Sequence, residues 1–327
     1  MKRVLVLGNA TLDIMQPVER LPLPGETLLS GAAMRCPGGK GLNQALASAR
    51  AGAPTRLVAP VGADADAAVM RRSLEQEADL ETAWLVQPDL QTDISTIWVA
   101  ADGENMIVSS AACAGALTGE QAVAASAWLR AGDILLMQGN LDVDTTRAGA
   151  SAARGAGATT ILNTAPVRQG MTALLPCFDI VVANAVEARQ LTGLDGEPAA
   201  RALHRDCGGV GIVTLGGGGA LLADAPETIL LPAPAVMVVD ASGAGDVLVG
   251  SLAGFLARGL PVQRATELSI VAASTSVMRA GTTASFPSRD EIGRILGSAP
   301  AEWRGRVIVD IDVHDASGLR SQNWPKL

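Results

Sequence analysis

Tyrosine is absent from this 327-residue sequence, and three Phe and five Trp hold the aromatic share to 2%. Its core must therefore be assembled from Ala, Leu and Val rather than from rings. Histidine is nearly missing as well. His204 and His314 are the only two, and neither has metal-ligand spacing, so they read as surface or satisfied side chains. The four cysteines (Cys36, Cys113, Cys177, Cys207) are widely spaced and form no CxxC pair, which excludes a disulfide scaffold or zinc ribbon and predicts reduced, partly buried thiols. Positive charge is scarce: the net charge is −8 and the pI near 4.9, which argues against broad binding to nucleic acid or to an anionic membrane. No apolar run reaches the ~18 residues a spanning helix needs. After Met1-Lys2-Arg3 the chain enters Val4-Leu5-Val6-Leu7-Gly8, too short for the core of a signal peptide and suited to a buried first strand; a soluble, cytoplasmic protein is expected. Also missing are GxxxxGK[ST], GxGxxG and GxSxG, which removes the P-loop, the dinucleotide fingerprint and the hydrolase elbow.

What is present is a rhythm of short apolar runs and helical segments. Strands are predicted at Val4–Leu7, Leu57–Val61, Ile134–Gln138, Thr159–Asn163, Ile180–Ala183 and Gly211–Leu215. Between them, helical spacing covers Asn43–Ala51, Ala65–Glu77, Gly119–Leu129, Thr145–Ala156 and Ala185–Leu191. Such alternation implies a parallel sheet covered on both faces, with working groups at the carboxyl ends of its strands. Two stretches break the rhythm. Residues 11–35 are punctuated by Pro17, Pro22, Pro24 and Gly25, and residues 92–109 read as strand–turn–strand around Asp102-Gly103. Together they predict a small separate sheet, placed as a lid. In the tail, 306–313 alternates like a strand. The pairs Asp64/Asp66 and Asp310/Asp312 are expected to be solvated, and the acidic stretch Glu75–Glu81 a solvated helix end.

The segment richest in chemistry is Val238-Val239-Asp240-Ala241-Ser242-Gly243-Ala244-Gly245-Asp246, followed by the apolar helical run Val247–Leu256. It is predicted to carry an apolar strand into a Gly-rich turn that opens a helix. The glycines allow several amides to converge, and a helix N-terminus adds unpaired N–H donors suited to a phosphate. Asp246 in the first helical turn stands ready to take a proton from an alcohol, although an Asp there also simply complements a helix dipole. A second stretch, Pro37-Gly38-Gly39-Lys40-Gly41-Leu42-Asn43-Gln44-Ala45, offers close backbone approach, the one lysine away from the termini, and an amide able to both donate and accept. Taken alone it is equally a turn that caps a helix.

These two stretches resemble the signature regions of the PfkB carbohydrate kinase family. Further matches follow in order: Asn9-Ala10-Thr11-Leu12-Asp13, Thr92–Trp98 with Gly103-Glu104-Asn105, Leu136-Met137-Gln138, Asn163-Thr164-Ala165-Pro166, Asn184 with Glu187, Thr214-Leu215-Gly216 with Gly217–Gly219, and Arg279-Ala280-Gly281. The resemblance implies a Rossmann-like α/β three-layer sandwich with a mostly parallel central sheet and a small β lid. It implies one kinase domain over 1–297, lid segments near 11–35 and 92–109, and a tail, 298–327, without a counterpart. The activity implied is transfer of the γ-phosphoryl group of ATP to a hydroxyl of a pentose or related sugar. Asp246 would be the base and Gly243, Ala244 and Gly245 the anion hole. Asp13, Gly39, Lys40, Asn43 and Asn140 would meet the sugar, and Asn184, Thr214, Gly216 and Gly219 the nucleotide. Glu187 would reach Mg2+ through water, while Asp240, Ser242 and Gly281 would neighbour a monovalent cation such as K+. Homodimerisation through the open edges of the lid is a further expectation.

Two departures stand out. Ala241 replaces a common Thr, and Asn140 stands where ribokinases usually carry Glu; a neutral amide is not an acceptor-only partner for two hydroxyls, which points away from ribose itself. The rival readings are a nucleoside kinase, with Ile97, Trp98 and Met106 as a slot for the base, a hexose or keto-acid sugar kinase, and a non-catalytic sugar-binding sensor.

Overall fold

The computed structural model describes residues 1–100, 104–224 and 227–297, and the backbone of 306–307. The predicted Asp102-Gly103 turn, Asp310, Asp312, His314 and the rest of the tail lie outside the described residues. In chain order the elements are β1 (Val4–Leu7), β2 (Thr11–Val18), β3 (Met34–Gly38), α1 (Lys40–Arg50), β4 (Thr55–Gly62), α2 (Ala65–Leu74), β5 (Leu80–Gln87), β6 (Ile94–Ala100), β7 (Asn105–Ser109), α3 (Ala112–Gly115) and α4 (Gly119–Ser126). There follow β8 (Ile134–Gln138), α5 (Val143–Gly155), β9 (Thr159–Asn163), β10 (Ile180–Asn184), α6 (Ala185–Thr192), α7 (Gly196–Cys207), β11 (Val210–Thr214), β12 (Ala220–Asp224), β13 (Glu227–Leu231), α8 (Ala244–Ala257), α9 (Val262–Ser276), α10 (Arg289–Gly297) and β14 (Arg306–Val307).

The large sheet runs β14-β13-β12-β11-β10-β9-β8-β1-β4-β5, parallel from β5 through β11 and antiparallel beyond. Its central strands are apolar along their whole length because both faces are covered, as the continuous runs implied. One face packs on α1, α8, α9 and α10, the other on α4, α5 and α7, and alanine recurs through both layers. A second sheet, β3-β2-β6-β7, joins the two Pro- and Gly-punctuated stretches into the small separate sheet expected of them. The fold is thus the expected α/β sandwich with a mostly parallel sheet and a small β lid.

Small residues set the helix pairing that matters most for the site. A Cβ at Gly250 of α8 would lie 2.3 Å from the Gln44 carbonyl, and one at Gly254 would lie 2.6 Å from Ala51 Cβ. The bare glycines let α8 lie directly on α1, which sets Asn43 and Gln44 against the first turn of α8.

Several local expectations need correction. The predicted strand ahead of the Gly-rich turn is irregular chain with Val239 57% exposed; the amides of Val239 and Asp240 both turn to the Val277 carbonyl after α9 instead of to a neighbouring strand. Helix α2 stops at Leu74 with the exposed Glu75 as its C-cap, so the acidic stretch does begin at a helix end, but the rest of it is paired: Glu77 with Arg50, Asp79 with Arg289, and Glu81, in β5, with Arg56. Asp64 is not free in solvent either. It caps α2 through Ala67 N and accepts from the amide and hydroxyl of Thr92, which ties the main sheet to the start of β6. The four thiols are unpaired, as expected, and burial pushes Cys113 up to about 11. No helix among the described residues is long and apolar enough to cross a membrane.

Candidate active site

Five parallel strands end in a row, and polar residues begin where their apolar runs stop: Asn9 after β1, Gln138 in β8, Asn163 in β9, Asn184 in β10 and Thr214 in β11. Above this row the first turns of α1 and α8 meet. Gly39 caps α1 with φ near 90°, and a Cβ there would lie 2.9 Å from Thr11 N, so glycine is required by both torsion and space. Asn9 then consumes the α1 amides: its Oδ1 accepts from Gly41 N and its carbonyl from Leu42 N.

Helix α8 is different. Gly243 caps it with φ near 78°, packed so closely on Thr282 and Phe286 that a Cβ would meet them at 2.9 and 2.8 Å. Ala244 N turns back to the Ala241 carbonyl at 3.3 Å, while no hydrogen bond from the amides of Gly243, Gly245 or Asp246 occurs among the described residues. Unbonded donors at the positive end of a 14-residue helix have the physical character to attract an anion. Asp246 is buried beside them. Asn43 Nδ2 donates to Asp246 Oδ2 at 3.0 Å and Gln44 Nε2 to Oδ1 at 2.9 Å, while Lys40 Nζ stands 3.9 Å from Oδ1. Asn43 Oδ1 is buried with no hydrogen-bond partner among the described residues.

A cleft of about 80 Å3 opens here, lined by Lys40, Asn163, Asn184, Glu187, Thr214, Gly245 and Asp246 among others. Residues from three strands (β9, β10, β11) and three helices (α1, α6, α8) thus share one opening. Asn184 and Glu187 are locked together: Glu187 accepts from Asn184 N, Asn184 Nδ2 and Thr164 Oγ1, and Glu187 N donates to Asn184 Oδ1.

These observations receive their name from the family match. The description pfkB family carbohydrate kinase fits residues 1–289. The chain belongs to the PfkB family of carbohydrate kinases. It is 31% identical over 305 residues to mouse ribokinase, covering 88% of this chain and 93% of that protein. It is also 31% identical over 305 residues to the bifunctional ribokinase/ribose-5-phosphate isomerase A of Fructilactobacillus sanfranciscensis; the match takes in 90% of this chain but only 56% of that longer protein. The structure of Arabidopsis thaliana ribokinase complexed with ribose and ATP aligns with a TM-score of 0.76 at 26% identity, covering 90% of this chain and 99% of that one. The chain is an ATP-dependent carbohydrate kinase.

In this kinase Asp13 projects from β2, buried under the small sheet, where Thr11 Oγ1 donates to it at 2.8 Å. A Cβ on Gly38 would fall 2.1 Å from Asp13 Oδ2, so the carboxylate lies directly on the glycine backbone. Burial raises the pKa of Asp13, against hydrogen bonds from Thr11 and Ser95, and the nearby Asp246 raises it further. Asp240, Ser242 and Gly281 also come together, since Asp240 Oδ1 accepts from Ser242 N and Oδ2 from Gly281 N. Gly216 opens an exposed turn after Thr214, and Gly219 closes it against the Leu231 carbonyl. Asn140 is not joined to Asp13 or Asn43: Arg168 holds its carbonyl, and its Oδ1 is buried without a partner among the described residues. The slot imagined from Ile97, Trp98 and Met106 does not form. Neighbours along a strand face opposite ways, so Ile97 shares a face with Ser95 and Asp13 while Trp98 turns away to bond Gln16.

Sequence reasoning overlooked Gln44, Gln138 and Asn163 as parts of the site. The available signal was polarity out of place: glutamines where apolar periodicity demanded core.

Proposed function

We propose that this carbohydrate kinase transfers the γ-phosphoryl group of ATP to a hydroxyl of a pentose or related sugar, with Asp246 as general base. The observation that supports this best is a buried carboxylate in the first turn of α8, beside unbonded amides and opening on a cleft that also holds Asn184 and Thr214. The ribose and ATP bound to the Arabidopsis relative support the choice of a pentose and of this nucleotide. Asp13 and Asn43 hold sugar hydroxyls, with the unpartnered Oδ1 of Asn43 as acceptor, and Gly39 allows the ring to approach the backbone. Asn140, with its own unpartnered oxygen, adds a further contact. Asp246 takes the hydroxyl proton as the oxygen bonds to the γ-phosphorus and the bond to the β-phosphate oxygen breaks. The charge that develops meets the amides of Gly243, Gly245 and Asp246, with Ala244 shaping the turn, and the Lys40 ammonium. Thr214, Gly216 and Gly219 line the nucleotide and Asn184 its phosphates.

The residues present suit a hydrated Mg2+. Glu187 already accepts three hydrogen bonds, so it fits contact through water better than direct ligation, and the ion would neutralise the phosphates. Asp240 retains lone pairs beside Ser242 and Gly281, a hard-oxygen setting suited to K+, which would steady the anion-hole loop.

The test is ADP release across pentoses, hexoses and nucleosides, with Mg2+ withheld or K+ replaced by Na+ in parallel. Pentoses are expected to turn over fastest, Mg2+ removal to abolish turnover and K+ removal to weaken it. Faster turnover of a nucleoside overturns the sugar assignment; ligands that shift melting without turnover favour a sensor.

A homodimer through the small sheet accompanies this reading. Its edge strands β3 and β7 leave Met34 57%, Ile107 54% and Val108 64% exposed, a surface that pairing would cover. Light scattering should give twice the chain mass; a monomeric mass removes the proposal.

A further inference from the structure

Gln44 and Gln138 are each 0% exposed, although glutamine rarely enters a core completely. They form a directed chain. Gln138 Nε2 donates to Gln44 Oε1 at 2.9 Å, and Gln44 Nε2 donates onward to Asp246 Oδ1 at 2.9 Å and toward Asn163 Oδ1 at 3.3 Å. With its oxygen committed to Gln138, the Gln44 amide has only its nitrogen to present to the carboxylate. At the far end Gln138 Oε1 is buried with no partner among the described residues, lodged where Gly8 lacks a side chain: a Cβ on Gly8 would lie 2.1 Å from that oxygen. A fold that keeps a desolvated, unbonded acceptor at one end of a chain holds the other end for a purpose beyond packing.

That end is Asp246. The two donors to it differ in freedom. Asn43, assigned above to the sugar, keeps an unpartnered Oδ1 and can exchange partners when substrate arrives, whereas Gln44 is fully buried and is shielded from substrate. We infer that Gln44, oriented by Gln138, is a positioning residue that pins the Asp246 carboxylate with one edge turned to the sugar hydroxyl. The inference rests on the assignment of Asp246 as base. Gln44 fixes which oxygen rotamer the base presents, so its loss lets the carboxylate swing toward Lys40 and away from the hydroxyl.

The experiment is a double-mutant cycle on the full-length kinase with its sugar, using Gln→Met changes that keep length without hydrogen bonds. Gln44→Met is expected to lower kcat by about 10- to 100-fold, a coupling of ordinary size for contacting residues, with the sugar KM within about threefold. In an Asp246→Asn background the same change should cost nothing further, because there is no base left to position. Gln138→Met should lower kcat less, and add nothing to Gln44→Met; should Gln44→Met fail to fold, the cycle of Gln138→Met with Asp246→Asn carries the test. Equal losses with and without Asp246, an unchanged kcat, or a loss confined to KM would overturn the inference. If Asp246→Asn alone keeps wild-type turnover, the base assignment itself is wrong, and the two failures are thereby distinct.

Discussion

Replacing Asp246 by Asn should lower kcat by about 10²- to 10⁴-fold, the usual contribution of a positioned base, while sugar and nucleotide affinity change little. The expectation follows from what the side chain touches. Its two oxygens already accept from Asn43 and Gln44, and each keeps lone-pair capacity for one more donor, the hydroxyl of an alcohol. An amide of the same shape still accepts from one neighbour but cannot take up a proton, and its NH2 group faces the other donor. The free amides of Gly243 and Gly245 are untouched by the change, so electrostatic stabilisation of the transferring phosphoryl group should leave a residual rate above the uncatalysed one. Turnover by ADP release, with calorimetric affinities for sugar and nucleotide, separates the two contributions. A kcat within tenfold of wild type would remove Asp246 from the reaction. A matched collapse of both affinities would show instead that the carboxylate holds the site together.

The parallel core was legible because its strands are buried on both faces and so carry unbroken apolar runs such as Ile134–Gln138, which needs no knowledge of partners. The α8 N-terminus was legible for a related reason: close amide convergence demands glycine, and glycine leaves a mark in sequence. Elements whose shape depends on partners were harder to read. Val238-Val239 has strand composition yet lies exposed, since the Val239 amide turns to the Val277 carbonyl beyond α9, a partner that the local sequence does not name. Glu81 looked like the end of a helix until β4 offered its edge to β5 and Arg56 to the carboxylate. Asp64 carries no local sign that Thr92, far along the chain, completes its hydrogen bonds. The amide chain behind Asp246 was invisible for the same reason. Its members come from α1, β8 and α8, and only the close approach permitted by Gly250 and Gly254 brings them into register.

Asp13 yields the second large effect, in which function and stability should move in opposite directions. Asp13→Asn is expected to raise the sugar KM by about 10- to 100-fold, the worth of a hydrogen bond to a charged acceptor, with kcat at saturating sugar nearly preserved because Asp246 is intact. The same variant should melt higher than wild type at neutral pH. Burial, helped by repulsion from Asp246, raises the Asp13 pKa above 3.8 despite hydrogen bonds from Thr11 and Ser95. The folded state therefore holds this proton more tightly than the unfolded chain does. Stability from the group is then fully present below the unfolded value, declines as pH rises toward the folded value, and remains reduced above it. Asparagine does not titrate and escapes that cost, so the melting advantage of the variant should shrink as pH is lowered through the ordinary carboxylate range. Adding sugar should close the gap from the other side, since wild type binds it more tightly and gains more from ligation. Melting curves across acid and neutral pH, with and without sugar, carry the test. An unchanged KM, or a variant that melts lower than wild type by a pH-independent margin, would show that Asp13 is held for packing and that the desolvated carboxylate is not what meets the sugar.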